Sequence, residues 1–163
     1  MGCVSRLGMF SAPSESDYAF ADEILDSVGI AHLGGRVYTQ ISGGERQMVL
    51  IARALVQSPK ILLMDEPAAN LDFANQVMVL ETVKRLASQG IIVIMTTHTP
   101  DHVFLCGTDV LLLARNGEII SGAPETVMTA ENMRRVYGID VCITTAEREG
   151  KVLRGCVPVM KEP

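Results

Sequence analysis

Two short apolar runs stand out in the pattern of hydrophobic and polar positions along the chain. Residues 60–65 (KILLMD) and 91–96 (IIVIMT) show no alternation and end abruptly, the first in Asp65-Glu66-Pro67 and the second in Thr97-His98. An unbroken apolar run of this length is typical of a parallel strand that is buried on both faces. We therefore expect two such strands, the first of which delivers acidic side chains to a site at its carboxyl end.

Helical periodicity occurs before, between and after these runs. It predicts helices at 17–29, from Ser42 to about residue 57, at 70–89, and after Thr99-Pro100, with Thr99 as N-cap and proline in the first turn. Ser42 and Glu45 have the spacing of a capping box, in which each side chain bonds the other residue's backbone amide. This pattern predicts an α/β chain with a parallel sheet.

The carboxyl-terminal third predicts two hairpins and two short helices. Residues 110–114 and 118–121 flank an Asn-Gly turn, helices are expected at 125–128 and 131–137, and residues 139–160 form a hairpin that turns near Glu149-Gly150. Counting symmetrically about residue 149 places Cys142 opposite Cys156. A cross-strand disulfide is conceivable there, although reduced thiols are favoured.

Composition narrows the class of protein. The chain has 163 residues, of which 48% are hydrophobic and 20% charged, and its formal net charge is −5. These values exclude a disordered or disulfide-dense chain and disfavour nucleic-acid binding. Four cysteines without a C-x-x-C pair make zinc unexpected. His98 and His102 are spaced as i and i+4, but no third metal ligand accompanies them.

The turn Ser42-Gly43-Gly44 has the chemistry of a phosphate-binding helix start. Two glycines let backbone amides approach an anion closely, and the helix dipole adds positive potential. The competing interpretation is an ordinary capped helix with a glycine-rich entry, which this turn alone would favour.

Acids and a histidine follow the two apolar runs. Asp65 is placed to hold Mg²⁺ beside phosphates, Glu66 to orient and deprotonate an attacking water, and His98 to hydrogen-bond a γ-phosphate or that water. The alternatives are a pair of acids that starts a solvated loop and a histidine at a helix entry. The abrupt end of the first run at its acids weakens the former.

Taken together, four motifs resemble those of ATP-binding-cassette (ABC) ATPases. Residues 41–47 (ISGGERQ) resemble the LSGGQ signature, and residues 61–67 (ILLMDEP) look like the Walker B strand with its catalytic glutamate. Asn70-Leu71-Asp72 looks like the D-loop, and Thr97-His98 like the switch histidine. Residues 72–76 and 98–102 further resemble the ATPases of metal-chelate importers, which take up iron-siderophore, haem, cobalamin or molybdate.

The resemblance implies a cofactor, ATP with Mg²⁺, and a role for each matching residue. Asp65 would lie near the metal, Glu66 would polarise the water and His98 would grip the γ-phosphate. The signature residues and the D-loop aspartate would contact ATP held by a second ABC ATPase subunit or communicate across that dimer: Ser42, Gly43, Gly44, Glu45 and Asp72. The other implied partners are a transmembrane permease and, indirectly, a periplasmic or extracellular binding protein, with no nucleic acid. The implied location is cytoplasmic, peripheral at the inner face of the cell membrane.

No phosphate loop of the form G-x-x-x-x-G-K-[ST] occurs in the sequence. We therefore expect a partial P-loop NTPase fold that corresponds to the carboxyl-terminal part of an ABC ATPase. Its parts would be a helical subdomain with the signature at 1–58, part of the nucleotide-binding core at 59–121, and carboxyl-terminal helices and a hairpin at 122–163. Alone, it is expected to bind MgATP weakly, to hydrolyse it negligibly and to self-associate through exposed apolar surface.

Two other interpretations stay open at this point. The head of a chromosome-maintenance or DNA-repair ATPase would explain a separate phosphate loop, but such heads usually lack a proline after the Asp-Glu pair and are preceded by long heptads. Pro67 is present here and no heptad run occurs. The other interpretation is a non-catalytic remnant that persists without its nucleotide loop.

Overall fold

In its described part, residues 12–96, the first unit of the protein combines three α-helices with a pair of parallel strands. The computed structural model describes residues 12–160, and the first of two units ends at Thr96. Its elements are α1 (Glu15–Ser27), α2 (Gly43–Leu55), β1 (Ile61–Asp65), α3 (Phe73–Ser88) and β2 (Ile92–Thr96), with 3₁₀ turns at Ala31–Leu33 and Tyr38–Gln40. All three predicted helices and both predicted strands are present in this unit, with bounds that differ by at most three residues.

The two strands pair in parallel and in one register, from Ile61 opposite Ile92 to Asp65 opposite Thr96. One face of this pair packs against α2 and α3, where Leu62 shares a core with Met48 and Val79. The carboxyl ends of both strands therefore lie side by side, with Asp65 and Thr96 at the same edge.

The opposite face of the strand pair is exposed, which contradicts the prediction of burial on both faces and agrees with the expectation that a partial fold leaves apolar surface exposed. Leu63 is 72% exposed and Ile94 54% exposed, and Ile61 and Ile92 lie on the same bare face. Within the first unit, α2 and α3 pack on the same side, and no element among its described residues, 12–96, covers the other. An apolar run shows which residues can be buried, but burial also requires a segment that packs against them.

The second unit begins at Thr97, and as far as it is described, to residue 160, it contains two hairpins and three short helices. Its elements are α4 (Pro100–Cys106), β3 (Val110–Leu113), β4 (Ile119–Gly122), α5 (Pro124–Val127), α6 (Ala130–Tyr137), β5 (Val141–Arg148) and β6 (Lys151–Pro158). A core formed by Val110, Val127, Met133 and Val141 joins both hairpins to α5 and α6. Both predicted hairpins are confirmed. No helix between residues 12 and 160 is both long and apolar enough to cross a lipid bilayer.

The register of the β5–β6 hairpin corrects the predicted cysteine pairing. Arg148 pairs with Lys151, so the turn centres between Glu149 and Gly150, and both turn residues have positive φ. Cys142 therefore lies opposite Val157, and Cys156 lies opposite Ile143. Because side chains alternate along a strand, this one-residue difference puts the two thiols on opposite faces of the hairpin, and they form no disulfide.

Candidate functional site

The amino terminus of α2 carries the predicted capping box. Ser42 has an extended backbone with φ −64° and ψ 166°, and its Oγ accepts the Glu45 backbone N–H at 3.2 Å. The Glu45 Oε2 accepts the Ser42 N–H at 2.7 Å in return. Two otherwise unpaired amides are thereby satisfied, and the turn that starts the helix is held in one shape.

The Glu45 carboxylate is engaged in this cap. Its hydrogen bonds with Ser42 hold the pKa of Glu45 below its usual value. His32 Nε2 lies 3.7 Å from Glu45 Oε1 and contributes in the same direction. Glu45 therefore acts on the shape of the turn, and the remaining first-turn amides are those of a helix start with positive potential.

Close packing against α3 explains the second glycine of the turn. A Cβ built on Gly44 would lie 2.1 Å from Asn75 Oδ1 and 2.8 Å from Asn75 Cβ, whereas a Cβ on Gly43 would meet only Leu71 Cδ2, at 3.8 Å. Gly44 is buried and Gly43 is exposed. The first turns of α2 and α3 are thus in contact, and only a glycine fits where they meet.

Asp72 caps α3 at this junction. Its Oδ1 accepts the Asn75 N–H at 2.9 Å and its Oδ2 accepts the Asn75 side-chain amide at 2.7 Å. These bonds lower the pKa of Asp72, and the bond from the Asn75 backbone amide has the larger effect. Asn75 therefore joins the two motifs, because the same side chain binds Asp72 and packs on Gly44.

A second group of residues lies at the carboxyl ends of β1 and β2. The Thr96 hydroxyl donates to Asp65 Oδ1 and accepts the Glu66 N–H at 3.0 Å. Parallel pairing in register brings Thr96 opposite Asp65. Thr96 thereby fixes the direction of the Asp65 carboxylate and the backbone position of Glu66.

Glu66 has a backbone conformation that is uncommon for a residue with a side chain. Its φ is 45°, in the left-handed region. Such conformations cost on the order of 1 kcal/mol and concentrate at functional sites. The half-buried Glu66 leads into the buried residues Pro67 and Ala68, which hold the turn in place.

His98 belongs to the second unit, in the loop between β2 and α4. It is exposed, and it is flanked by Thr97, whose hydroxyl lies 2.8 Å from His102 Nδ1. Thr99 occupies the N-cap position of α4 as predicted, but its side chain makes no capping hydrogen bond.

The structure thus brings the predicted residues together in two groups within the first unit. Contact between α2 and α3 unites the signature-like turn with Asp72, and Thr96 unites Asp65 with Glu66. Sequence reasoning missed Asn75 and Thr96. The spacing of Asp72 and Asn75, three residues apart at a helix start, was an available signal for the first. Thr96 becomes identifiable only from the register of the two strands.

The donor set suits a hard divalent cation held largely by other groups. Among residues 12–160, no cluster of three or more His, Cys, Asp or Glu side chains could hold a metal ion. Mg²⁺ is commonly bound through one or two carboxylates, with waters and phosphate oxygens as its other ligands. Asp65, with its carboxylate oriented by Thr96, fits that arrangement.

Comparison with known proteins gives matches over most of the chain. Residues 5–69 match the family model of the ABC transporter. An ABC transporter ATP-binding protein of Haemophilus influenzae is 42% identical over 84% of this chain and 52% of its own length. The molybdate import ATP-binding protein MolC of the same organism is 35% identical over 99% of this chain and 64% of its own length. The hemin import ATP-binding protein HmuV of Bordetella avium is 37% identical over 87% of this chain and 57% of its own length. The chain thus spans between half and two thirds of the length of these relatives.

Solved structures give the same result for the fold. A metal-chelate type ABC transporter in an inward-facing conformation matches 99% of this chain and 64% of its own, with a TM-score of 0.92 and 34% identity. The ADP conformation of MJ1267, an ATP-binding cassette of an ABC transporter, matches 80% of this chain and 52% of its own, with a TM-score of 0.71 and 27% identity. The predicted α/β fold class, a partial ABC ATPase fold, is confirmed.

Proposed function

The chain belongs to the ABC transporter ATPases, and from this premise we propose that it is the signature and Walker B part of the ATP-binding subunit of a metal-chelate importer. The observation that carries the proposal is the pair of groups at the ends of secondary-structure elements. The capped start of α2, where Gly44 allows close packing, lies against the cap of α3. Asp65 ends β1 with its carboxylate oriented by Thr96, and Glu66 follows it. Both groups have the chemistry to bind a nucleoside triphosphate and its metal ion.

The helix start supplies the phosphate contacts in this proposal. Ser42 and Gly43 are exposed at the amino terminus of α2, where the dipole and the first backbone amides favour an anion. Gly44 lets this turn approach Asn75, and Asp72 fixes Asn75 from the α3 side. These residues would contact the γ-phosphate of ATP that a second ABC ATPase subunit holds.

The strand ends supply the hydrolytic chemistry. Asp65 would hold Mg²⁺, which neutralises charge on the β- and γ-phosphates when it is bound. Glu66 would orient the attacking water and accept its proton, in a conformation that the Thr96 hydroxyl fixes through the Glu66 N–H. His98 would donate a hydrogen bond to the γ-phosphate.

The proposed assembly follows from the family. The subunit would act as a dimer of ATPases with a transmembrane permease and, indirectly, with a periplasmic or extracellular binding protein, from the cytoplasmic face of the membrane. Within it, residues 1–58 would be the helical subdomain, 59–121 part of the nucleotide-binding core, and 122–163 the carboxyl-terminal region. The matches to importers favour this assembly over a chromosome-maintenance head.

Mutation of the proposed base tests the hydrolytic role. In the assembled transporter, Glu66→Gln is expected to lower the rate of ATP hydrolysis by about 100-fold or more, because a lost general base typically costs that much. Glu81→Gln is the matched control, since Glu81 is an exposed carboxylate on α3. Equal activity of the two variants would contradict the assignment of Glu66.

The chain by itself provides a second test. We propose that it represents the carboxyl-terminal part of a longer cassette, and that it hydrolyses ATP negligibly because no phosphate-loop lysine is present in its sequence. The measurement is MgATP turnover by the purified 163-residue chain, together with the intact mass of the polypeptide from its native cell. Saturable turnover that Glu66→Gln abolishes would overturn this proposal.

The transported substrate is proposed from the resemblance of residues 72–76 and 98–102 to the ATPases of metal-chelate importers. The relatives' own names include hemin, molybdate and cobalamin import. An iron-siderophore is the chelate that we propose for this chain. Uptake of radiolabelled iron-siderophore, hemin and molybdate in cells with wild-type protein or Glu66→Gln separates these substrates. Loss of molybdate uptake alone would reject the iron chelate.

A further inference from the structure

The loop that carries His98 is held by a side-chain hydroxyl on one side of the histidine. Thr97 Oγ1 accepts the backbone N–H of Thr99 at 3.1 Å, which bridges the two residues that flank His98. This is the local turn that threonine hydroxyls form with an amide two residues further on. The same hydroxyl lies 2.8 Å from His102 Nδ1.

His102 is suited to a fixed structural role in this network. It is 6% exposed, and its Nδ1 faces the Thr97 hydroxyl from the first turn of α4. A hydroxyl has one proton and two lone pairs, so the Thr97 oxygen can accept the Thr99 N–H and also donate its proton to Nδ1, which is the direction that we assign. That assignment makes the His102 ring neutral with its proton on Nε2, in agreement with a pKa that burial lowers.

The helix that carries His102 is itself anchored. Asp101 Oδ1 accepts the backbone N–H of Cys156 at 2.7 Å, which ties the first turn of α4 to β6. The Thr99 side chain gives α4 no capping bond. The position of the loop therefore depends on the β5–β6 hairpin, through Asp101 and His102, and not on a side-chain cap of α4.

We propose that Thr97 and His102 are positioning residues for His98. The His102 ring orients the Thr97 hydroxyl, the hydroxyl fixes the Thr99 amide, and the turn so formed sets the direction in which His98 leaves the backbone. The proposal rests on the role given to His98 in the proposed function, and its geometric part is separable from that role.

The geometric part is tested by nuclear magnetic resonance on the full 163-residue chain, which has only three histidines to assign. Thr97→Val removes the hydroxyl with little change of shape, and Thr97→Ser retains it. Thr126→Val is the matched control, because it removes a hydroxyl with a 2.9 Å bond to Ala123 O in the same unit. The wild-type His102 ring is expected to carry its proton on Nε2.

In Thr97→Val, hydrogen exchange at the Thr99 amide should accelerate about fivefold, as expected when one hydrogen bond is lost. The His98 resonances should shift, and Thr97→Ser should restore both signals. Thr99 exchange and His98 resonances that change no more in Thr97→Val than in Thr126→Val would overturn the proposal. A wild-type His102 ring protonated on Nδ1 would also overturn it.

The functional part is tested by ATP hydrolysis in the assembled transporter. Thr97→Val should lower kcat about tenfold with a nearly unchanged KM for ATP, and Thr97→Ser should recover most of kcat, because positioning acts on the reacting geometry. Unchanged kcat in Thr97→Val, with Glu66→Gln still inactive, would overturn the positioning role and leave the proposed function intact. If the wild-type assembly hydrolyses no ATP, the proposed function fails, and the resonance measurements alone decide whether the network exists.

Discussion

Replacing Gly44 by alanine is a direct test of the contact between α2 and α3. The added methyl group would lie 2.1 Å from Asn75 Oδ1, 2.2 Å from Asn75 Cγ and 2.8 Å from Asn75 Cβ. Rotation of the Asn75 side chain can move its amide group, but Cβ is attached to the backbone. Relief therefore requires both a new rotamer and a shift of the first turn of α3.

The magnitude follows from what the added methyl group displaces. Rotation of Asn75 breaks its 2.7 Å bond to Asp72, which is exposed, so this loss adds little because water replaces the partner. The backbone shift costs about 1–3 kcal/mol of overpacking. Alanine regains up to about 1 kcal/mol of helix propensity at this position. We expect Gly44→Ala to lower the free energy of unfolding by about 1–2 kcal/mol.

Gly43→Ala is the matched control, since it adds the same methyl group one position earlier with only an ordinary 3.8 Å contact to Leu71. It should leave stability unchanged or raise it by up to about 1 kcal/mol. The assay is urea denaturation followed by far-ultraviolet circular dichroism at two protein concentrations. Equal stability of the two variants would refute the close approach of Gly44 and Asn75, and with it the contact between the two motifs.

Three further predictions concern the cap, a buried histidine and the bare strand face. Ser42→Ala should lower the free energy of unfolding by about 1 kcal/mol in the same denaturation assay, whereas Thr99→Ala should have little effect, because Ser42 makes a capping bond and Thr99 does not. Burial lowers the pKa of His102, so the unfolded chain binds that proton at a higher pH than the folded chain. Stability should therefore fall as the pH drops below about 6.5, and thermal melts between about pH 7.5 and 5.5 should show a smaller fall for His102→Gln; equal falls would reject this explanation. Leu63→Lys on the bare face should reduce self-association in light scattering with little loss of stability, whereas Leu62→Lys should unfold the first unit because Leu62 is 6% exposed.

Local features of this fold follow from the sequence because they depend on neighbours within a few residues. The Ser42–Glu45 capping box, the Asn-Gly turn after β3 and the start of α4 at Pro100 all lie where their patterns predict. The order of the ABC ATPase motifs is likewise a property of the sequence, and the comparisons confirm the family that it indicated. The cap, the turn and the helix start each depend on residues at most four positions apart, and the family assignment depends on the order of the motifs along the chain.

Other features depend on which distant segments meet. The pairing of Asp65 with Thr96 requires the parallel register of two strands separated by α3, and the contact of Gly44 with Asn75 requires two helices to pack. A one-residue shift in a turn decided that Cys142 and Cys156 face apart. No local pattern encodes the strand register or the helix contact, since both result from long-range packing, whereas the cysteine positions follow from the length of the hairpin turn.

The sequence by itself determined the local elements of this protein, the identity of its acidic and glycine-rich motifs, and its family, because these depend on residue type and spacing. Only the tertiary structure decided that Asn75 links Gly44 to Asp72, that Thr96 orients Asp65 and that one face of β1 and β2 stays bare. Periodicity shows which positions are apolar, but burial and hydrogen bonding depend on which segments the folded chain brings against them.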